Sequence, residues 1–160
     1  AMTPSKLDEV RANLRIGVHR NAEVTSSTTG HSVTQAYCSA LPVAYNHHHP
    51  NDFEPFARLV LEASYEATLR AAALNANFTD NPTVYLTMLG GGVFGNDESW
   101  IIDAIERACN GLIDVALDVV IVSYRSPTPA VSALVDRGRP HTFGVADPSS
   151  IDQPTDFAHE

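Results

Sequence analysis

The sequence predicts an α/β layered fold, a mostly parallel sheet flanked by helices. Two observations carry this. The apolar runs at 83–89 (TVYLTML) and 117–124 (LDVVIVSY) have the length and β-branched character of strands covered on both faces. Longer segments at 53–76 and 98–110 repeat apolar residues at helical spacing and alternate with those strands. With a further strand before the first of these helices, the order is strand, helix, strand, helix, strand. That order implies parallel neighbours joined by right-handed crossovers.

Taken along the chain, residues 5–14 suit a short helix and 15–32 a loop or irregular strand. From Val33 to Tyr45 the residues alternate, with Val33, Gln35, Tyr37, Ser39, Leu41, Val43 and Tyr45 on one face; Pro42 suits an end or edge, so the strand is expected to run to about Ala40. Residues 46–52 (NHHHPND) read as a loop, with Asn51 or Asp52 as a cap for the helix over 53–76. That helix carries Phe56, Leu59, Val60, Ala63, Ala67, Ala71 and Leu74 on its expected apolar stripe. Residues 77–82 read as a turn. In the helix over 98–110, Ile101, Ile105 and Ala108 form a stripe continued by Leu112, and Gly111 is the expected stop. A short helix is expected around 130–136. The domain is expected to span 3–136, with Ala1-Met2 as a tag scar and 137–160 as a Pro- and Asp-containing extended or disordered tail.

Composition narrows the classes of partner. A chain of 160 residues suits one sizeable core. Its formal net charge of −9, with only 10 Lys and Arg, argues against duplex nucleic acid or an anionic membrane. It leaves room for one small anion held by backbone N–H groups. Cys38 and Cys109 lie in apolar segments and read as reduced, buried thiols. The three histidines at 47–49 sit adjacent in a loop with no second ligand cluster, so a solvated loop is expected and neither metal nor cofactor is assigned. Ser39 lacks the flanking glycines of a nucleophile elbow.

The most informative stretch is GGGVFGND, Gly90 to Asp97. It leaves the end of one strand and enters a helix N-terminus. In open α/β sheets, ligands bind beyond the carboxyl ends of the strands. Bare backbone there lets successive N–H groups approach a phosphate. The loop has neither the Lys-Ser/Thr of a Walker loop nor the spacing of a dinucleotide fingerprint. A turn shaped only for close helix–strand packing fits the same residues. Asp97 and Glu98 at the helix start suit N-capping; a carboxylate orienting a water against an anomeric carbon is the alternative.

The order of elements from 33 to 124, the helix segment LEASYEATLRAA and the loop GGGVFGN together resemble the second half of a macrodomain. With VTQAYCSALPVAY, they look most like the branch containing bacterial effectors that remove ADP-ribose from ubiquitin, and are similar to the poly(ADP-ribose) glycohydrolase-like branch. The resemblance covers residues 15–125. It implies that the loop wraps the diphosphate of ADP-ribose, with Gly90, Gly91, Gly92, Val93, Phe94, Gly95 and Asn96 binding ligand. Phe94 would then pack on the distal ribose, and Tyr124, Arg125 and Ser126 would lie near the adenosine. It implies hydrolysis of ADP-ribose from a modified protein, for which ubiquitin is a candidate; Asp97, the carboxylate beside the loop, is the candidate catalytic residue, and a non-catalytic ADP-ribose or nucleotide-binding module is the alternative.

The chain departs from the family before Val33, where the Asn-rich strand end and acid-bearing first glycine loop have no counterpart. Nor do paired glutamates follow the triple glycine. The fold is thus expected to lack its first half, and a preceding segment or second chain is an expected partner. With no signal-peptide pattern and no apolar run of spanning length, the expected location is the cytoplasm, or a host cytosol reached by a secreted effector.

Overall fold

The computed structural model describes residues 3–25, 30–45, 47, 49–124, 126–137 and 142–147. The chain begins with helix α1 (Pro4–Asn13), followed by strands β1 (Gly17–Glu23) and β2 (Ser32–Tyr37). Two 3₁₀ turns, Val43–Tyr45 and Pro50–Asp52, lead into the long helix α2 (Glu54–Thr79). Strand β3 (Thr83–Thr87), helix α3 (Glu98–Asn110), strand β4 (Asp118–Val122), helix α4 (Pro129–Arg137) and strand β5 (Thr142–Ala146) follow. The α/β class and the flanking helices are as expected.

The composition of the sheet differs from expectation. Strands β3, β4 and β5 form a parallel sheet in that order, in register from Thr83↔Asp118↔Thr142 to Thr87↔Val122↔Ala146. The strand expected to open the alternation, β2, is not part of it. It ends at Tyr37 and pairs antiparallel with β1, across an irregularity between His19 and Ala22. Alternation says which residues share a face but not which strand is the neighbour. β1 lies close in sequence and reaches β2 through a short connection, whereas a parallel partner needs a long crossover. In the other direction, the segment read as tail contributes β5, whose Phe143 packs against the core. Its five residues, TFGVA, with Gly144 at the centre and Pro140 and Pro148 nearby, carry little strand signal.

β4 is the central strand, and Val119, Val120 and Ile121 are all buried. β3 was expected to be covered on both faces. Instead Val84 and Leu86 are buried while Tyr85 and Thr87 are exposed, so one face of β3, an outer strand among the described residues, is open.

Helix α2 packs along α3, and the two close over one core with β3 and β4. The stripe expected on α2 holds in part: Leu59 and Ala63 are buried and Val60, Ala67 and Ala71 half-buried. Phe56 and Leu74 are exposed, and the core row is Ala57, Leu61, Tyr65 and Leu69 at four-residue spacing. Alanine and leucine occur on several sides of this helix, so spacing alone admits both rows. Its expected cap is also absent. Phe53 occupies the N-cap with no side-chain hydrogen bond, and Asp52 lies in the preceding 3₁₀ turn. At the other end the helix continues to Thr79 and stops at Asp80 in the left-handed region, φ 54°.

On α3 the buried face includes the expected Ile101, Ile105 and Ala108 and is widened by Trp100, Ile102, Ala104 and Cys109. Gly111 is its C-cap, as read from the sequence. Cys38 and Cys109 are not in a disulfide, and burial pushes both thiols up, Cys109 to about 12. Neither is a reactive thiolate at neutral pH. Among the described residues, no helix is long and apolar enough to cross a membrane.

Candidate functional site

Because β3, β4 and β5 are parallel and in register, their carboxyl ends lie on one edge. The glycine loop leaves β3 there, and Tyr124 follows β4 by two residues. The loop is a series of tight turns. Gly91 N–H donates to the Met88 carbonyl (3.1 Å), Gly95 N–H to the Gly92 carbonyl (3.0 Å) and Asn96 N–H to the Gly90 carbonyl (3.0 Å). Gly90 and Gly95 have φ of 75° and 72°, where a side chain is strained.

The loop is fastened to residues 40–45. Ala44 N–H donates to the Phe94 carbonyl (3.0 Å), and the Asn96 amide nitrogen donates to the carbonyls of Leu41 (2.8 Å) and Gly90 (3.3 Å). A Cβ on Gly90 would stand 2.4 Å from Ala40 Cβ, and one on Gly95 would stand 2.8 Å from Ala44 Cβ. On Gly91 it would meet Ile101 Cδ1 of α3 at 3.1 Å. Close packing and backbone conformation therefore account for Gly90 and Gly95, and a Cβ on Gly91 would be tightly packed against a side-chain tip.

Gly92 is different. A Cβ there would meet nothing within 4 Å, and Gly92 is not among the positive-φ glycines. Among the described residues, no acceptor is recorded for the N–H groups of Gly92, Val93 and Phe94. These three consecutive groups are the part of the expected nest that remains available. The N–H groups of Gly91, Gly95 and Asn96, expected to serve a ligand, are used by the loop itself. Asn96 is a lock: it is 4% exposed, and its Oδ1 has no partner among the described residues.

Asp97 is the N-cap of α3. Its Oδ1 accepts from Ser99 N–H (2.8 Å) and from the Ser99 hydroxyl (2.6 Å). These bonds, the hydroxyl's first, hold its carboxyl below the usual range, so it is ionised at neutral pH. Glu98 is turned to another task, accepting from the Thr128 hydroxyl (2.6 Å), which also receives Val131 N–H at the start of α4. Phe94 is half-buried against the core, Val93 is 73% exposed and Tyr124 is 84% exposed. Arg125 lies outside the described residues; Ser126 is exposed. His47 and His49 are exposed, and among the described residues no cluster of His, Cys, Asp or Glu could hold a metal.

Two features were missed by reading the sequence. One is the seating of the loop on residues 40–45; the small residues Ala40 and Ala44, four apart and opposite two glycines, are its only signal. The other is Tyr45, whose ring meets Phe94 edge to face, with centroids 5.8 Å apart and planes at 72°. No family model, curated protein or solved structure matches the chain.

Proposed function

We propose that the chain is a macrodomain-like module that binds ADP-ribose, with the diphosphate received by the backbone N–H groups of Gly92, Val93 and Phe94. The observation that carries this reading is Gly92. Gly90 and Gly95 are glycine because a side chain there would be strained and collide with Ala40 or Ala44, and a Cβ on Gly91 would be in tight contact with Ile101, whereas Gly92 faces open space and carries the first of three unengaged donors. A bare backbone with unengaged N–H groups at the carboxyl edge of a parallel sheet suits a phosphate ester. The order α2, β3, loop, α3, β4 supports the macrodomain resemblance over 54–124.

Titration calorimetry with ADP-ribose tests this. Gly92→Ala is expected to leave stability within about 0.5 kcal/mol, because the added methyl meets nothing. It should weaken ADP-ribose binding by about tenfold or more, since a methyl held against the diphosphate forfeits a charge-assisted backbone hydrogen bond. Folded wild-type protein that gives no heat with ADP-ribose would rule the reading out.

Hydrolysis of ADP-ribose from a modified protein, ubiquitin included, is a second reading, favoured by the exposed, ionised carboxylate of Asp97 next to the loop. The variant that isolates this role is Asp97→Asn, because asparagine caps a helix about as well as aspartate and removes only the charge. Release of ADP-ribose by wild type and its loss in Asp97→Asn, at unchanged thermal stability, is the outcome expected of a water-orienting carboxylate. No release by either protein leaves a binding module.

A further inference from the structure

We propose that Tyr45 is a ligand-positioning residue, its ring forming with Phe94 an aromatic wall that takes the apolar C–H face of a sugar ring attached to the diphosphate. This rests on the binding mode proposed above and adds to it a determinant for what the phosphate carries.

The argument begins with exposure. Among the described residues, the four most exposed large hydrophobic side chains are Tyr124, Phe78, Val93 and Tyr45, the last at 67%. Three of these four lie at or beside the carboxyl edge of the parallel sheet: Val93 in the glycine loop, Tyr45 against Phe94 and Tyr124 two residues past β4. Scattered exposed aromatics need no explanation, but a concentration at one edge does.

The backbone beneath Tyr45 is held firmly. Val43, two residues earlier, is 1% exposed and anchored in the core. Ala44 N–H is bonded to the Phe94 carbonyl, and Tyr45 N–H donates to the Pro42 carbonyl (3.1 Å). A tyrosine ring has only two side-chain torsions, and here the backbone beneath it is already ordered, so covering it costs little ordering entropy.

The partner ring supplies the direction. Phe94 is half-buried, and its edge-to-face contact with Tyr45 joins the two rings into one surface. Phe94 also carries the last of the three available N–H groups, which brings the aromatic surface next to the anion-binding backbone. A bare diphosphate would use the N–H groups and ignore the wall. A diphosphate bearing a sugar ring would use both.

The test compares ADP-ribose with inorganic pyrophosphate by calorimetry, on wild type, Tyr45→Ala and Tyr45→Phe. Tyr45→Ala is expected to weaken ADP-ribose binding by about tenfold, the scale of a lost ring–aromatic contact, while its binding of pyrophosphate is unchanged. Tyr45→Phe keeps the ring and is expected to bind ADP-ribose within about twofold of wild type. The inference is overturned if Tyr45→Ala binds ADP-ribose as wild type does, if it loses both probes equally, or if Tyr45→Phe loses as much as Tyr45→Ala. Wild-type protein that binds no ADP-ribose overturns the underlying binding mode instead, which keeps the two failures distinct.

Discussion

Gly90→Ala is expected to destabilise the fold by about 2–5 kcal/mol, measured as the free energy of urea unfolding. Two costs combine. The backbone at Gly90 has φ 75°, which costs a residue with a Cβ about 1–2 kcal/mol. The new methyl would also lie 2.4 Å from Ala40 Cβ and 2.6 Å from the Asn96 amide nitrogen. Neither neighbour can swing aside freely. Ala40 Cβ is fixed to the backbone, and the Asn96 amide already holds two carbonyls. The steric part should be relieved by Ala40→Gly in the same chain, so the double variant is expected to recover about 1–3 kcal/mol of the loss. A loss below 1 kcal/mol for Gly90→Ala, or no recovery in the double variant, would mean that the loop is not seated on residues 40–45. The contrast with Gly92→Ala is the useful part, because two neighbouring glycines are expected to fail in different assays.

Tyr65→Phe is expected to cost about 1–3 kcal/mol of stability and to speed amide exchange at Leu89. The Tyr65 hydroxyl donates to the Thr87 carbonyl (2.7 Å) and accepts from Leu89 N–H (2.8 Å). Those two backbone groups are the pair that one residue of a neighbouring parallel strand would engage. A side chain of α2 thus stands in for a strand at the point where β3 passes into the glycine loop. Phenylalanine fills the same space and leaves both groups without that partner. Burial holds the hydroxyl neutral, pushing its ionisation above the usual tyrosine range, with the Leu89 hydrogen bond opposing the shift. A raised pKa contributes stability that is complete below the unfolded value of about 10 and is lost as pH rises towards the folded one. Wild-type protein is therefore expected to lose stability above about pH 10 through this group, and Tyr65→Phe to lack that component. An unchanged Leu89 exchange rate in the variant would contradict the bridging role.

The parts of the fold legible in sequence are those governed by local physics. Helix α3 was read to the residue, from an aspartate cap at one end to Gly111 at the other, because caps and glycine stops act within a turn of the chain. Strand β4 was read from its unbroken VVIV run, which suits a strand covered on both faces. Errors fell where the deciding partner is distant. The alternation of β2 was seen, but its pairing with β1 was not. The α2 stripe was read only in part: Leu59 and Ala63 are buried as expected, but Phe56 and Leu74 are exposed and the row Ala57, Leu61, Tyr65 and Leu69 was not seen, because the helix has more than one apolar row. β5 was missed because TFGVA acquires its meaning only beside β4.

The candidate site divides in the same way. The sequence by itself determined that a bare backbone leaves the carboxyl end of a strand and enters an aspartate-capped helix, since glycine, strand and cap signals are local. Only the tertiary structure decided what each glycine is for. Gly90 and Gly95 make room for Ala40 and Ala44, and Gly91 for Ile101, while Gly92 alone faces outward. It also decided that Asn96 holds the loop from within and that Tyr45 stands beside Phe94. The physical reason is that a missing Cβ reads alike in sequence whether it avoids a neighbour or admits a ligand. The two differ only in what occupies the space the Cβ would have filled.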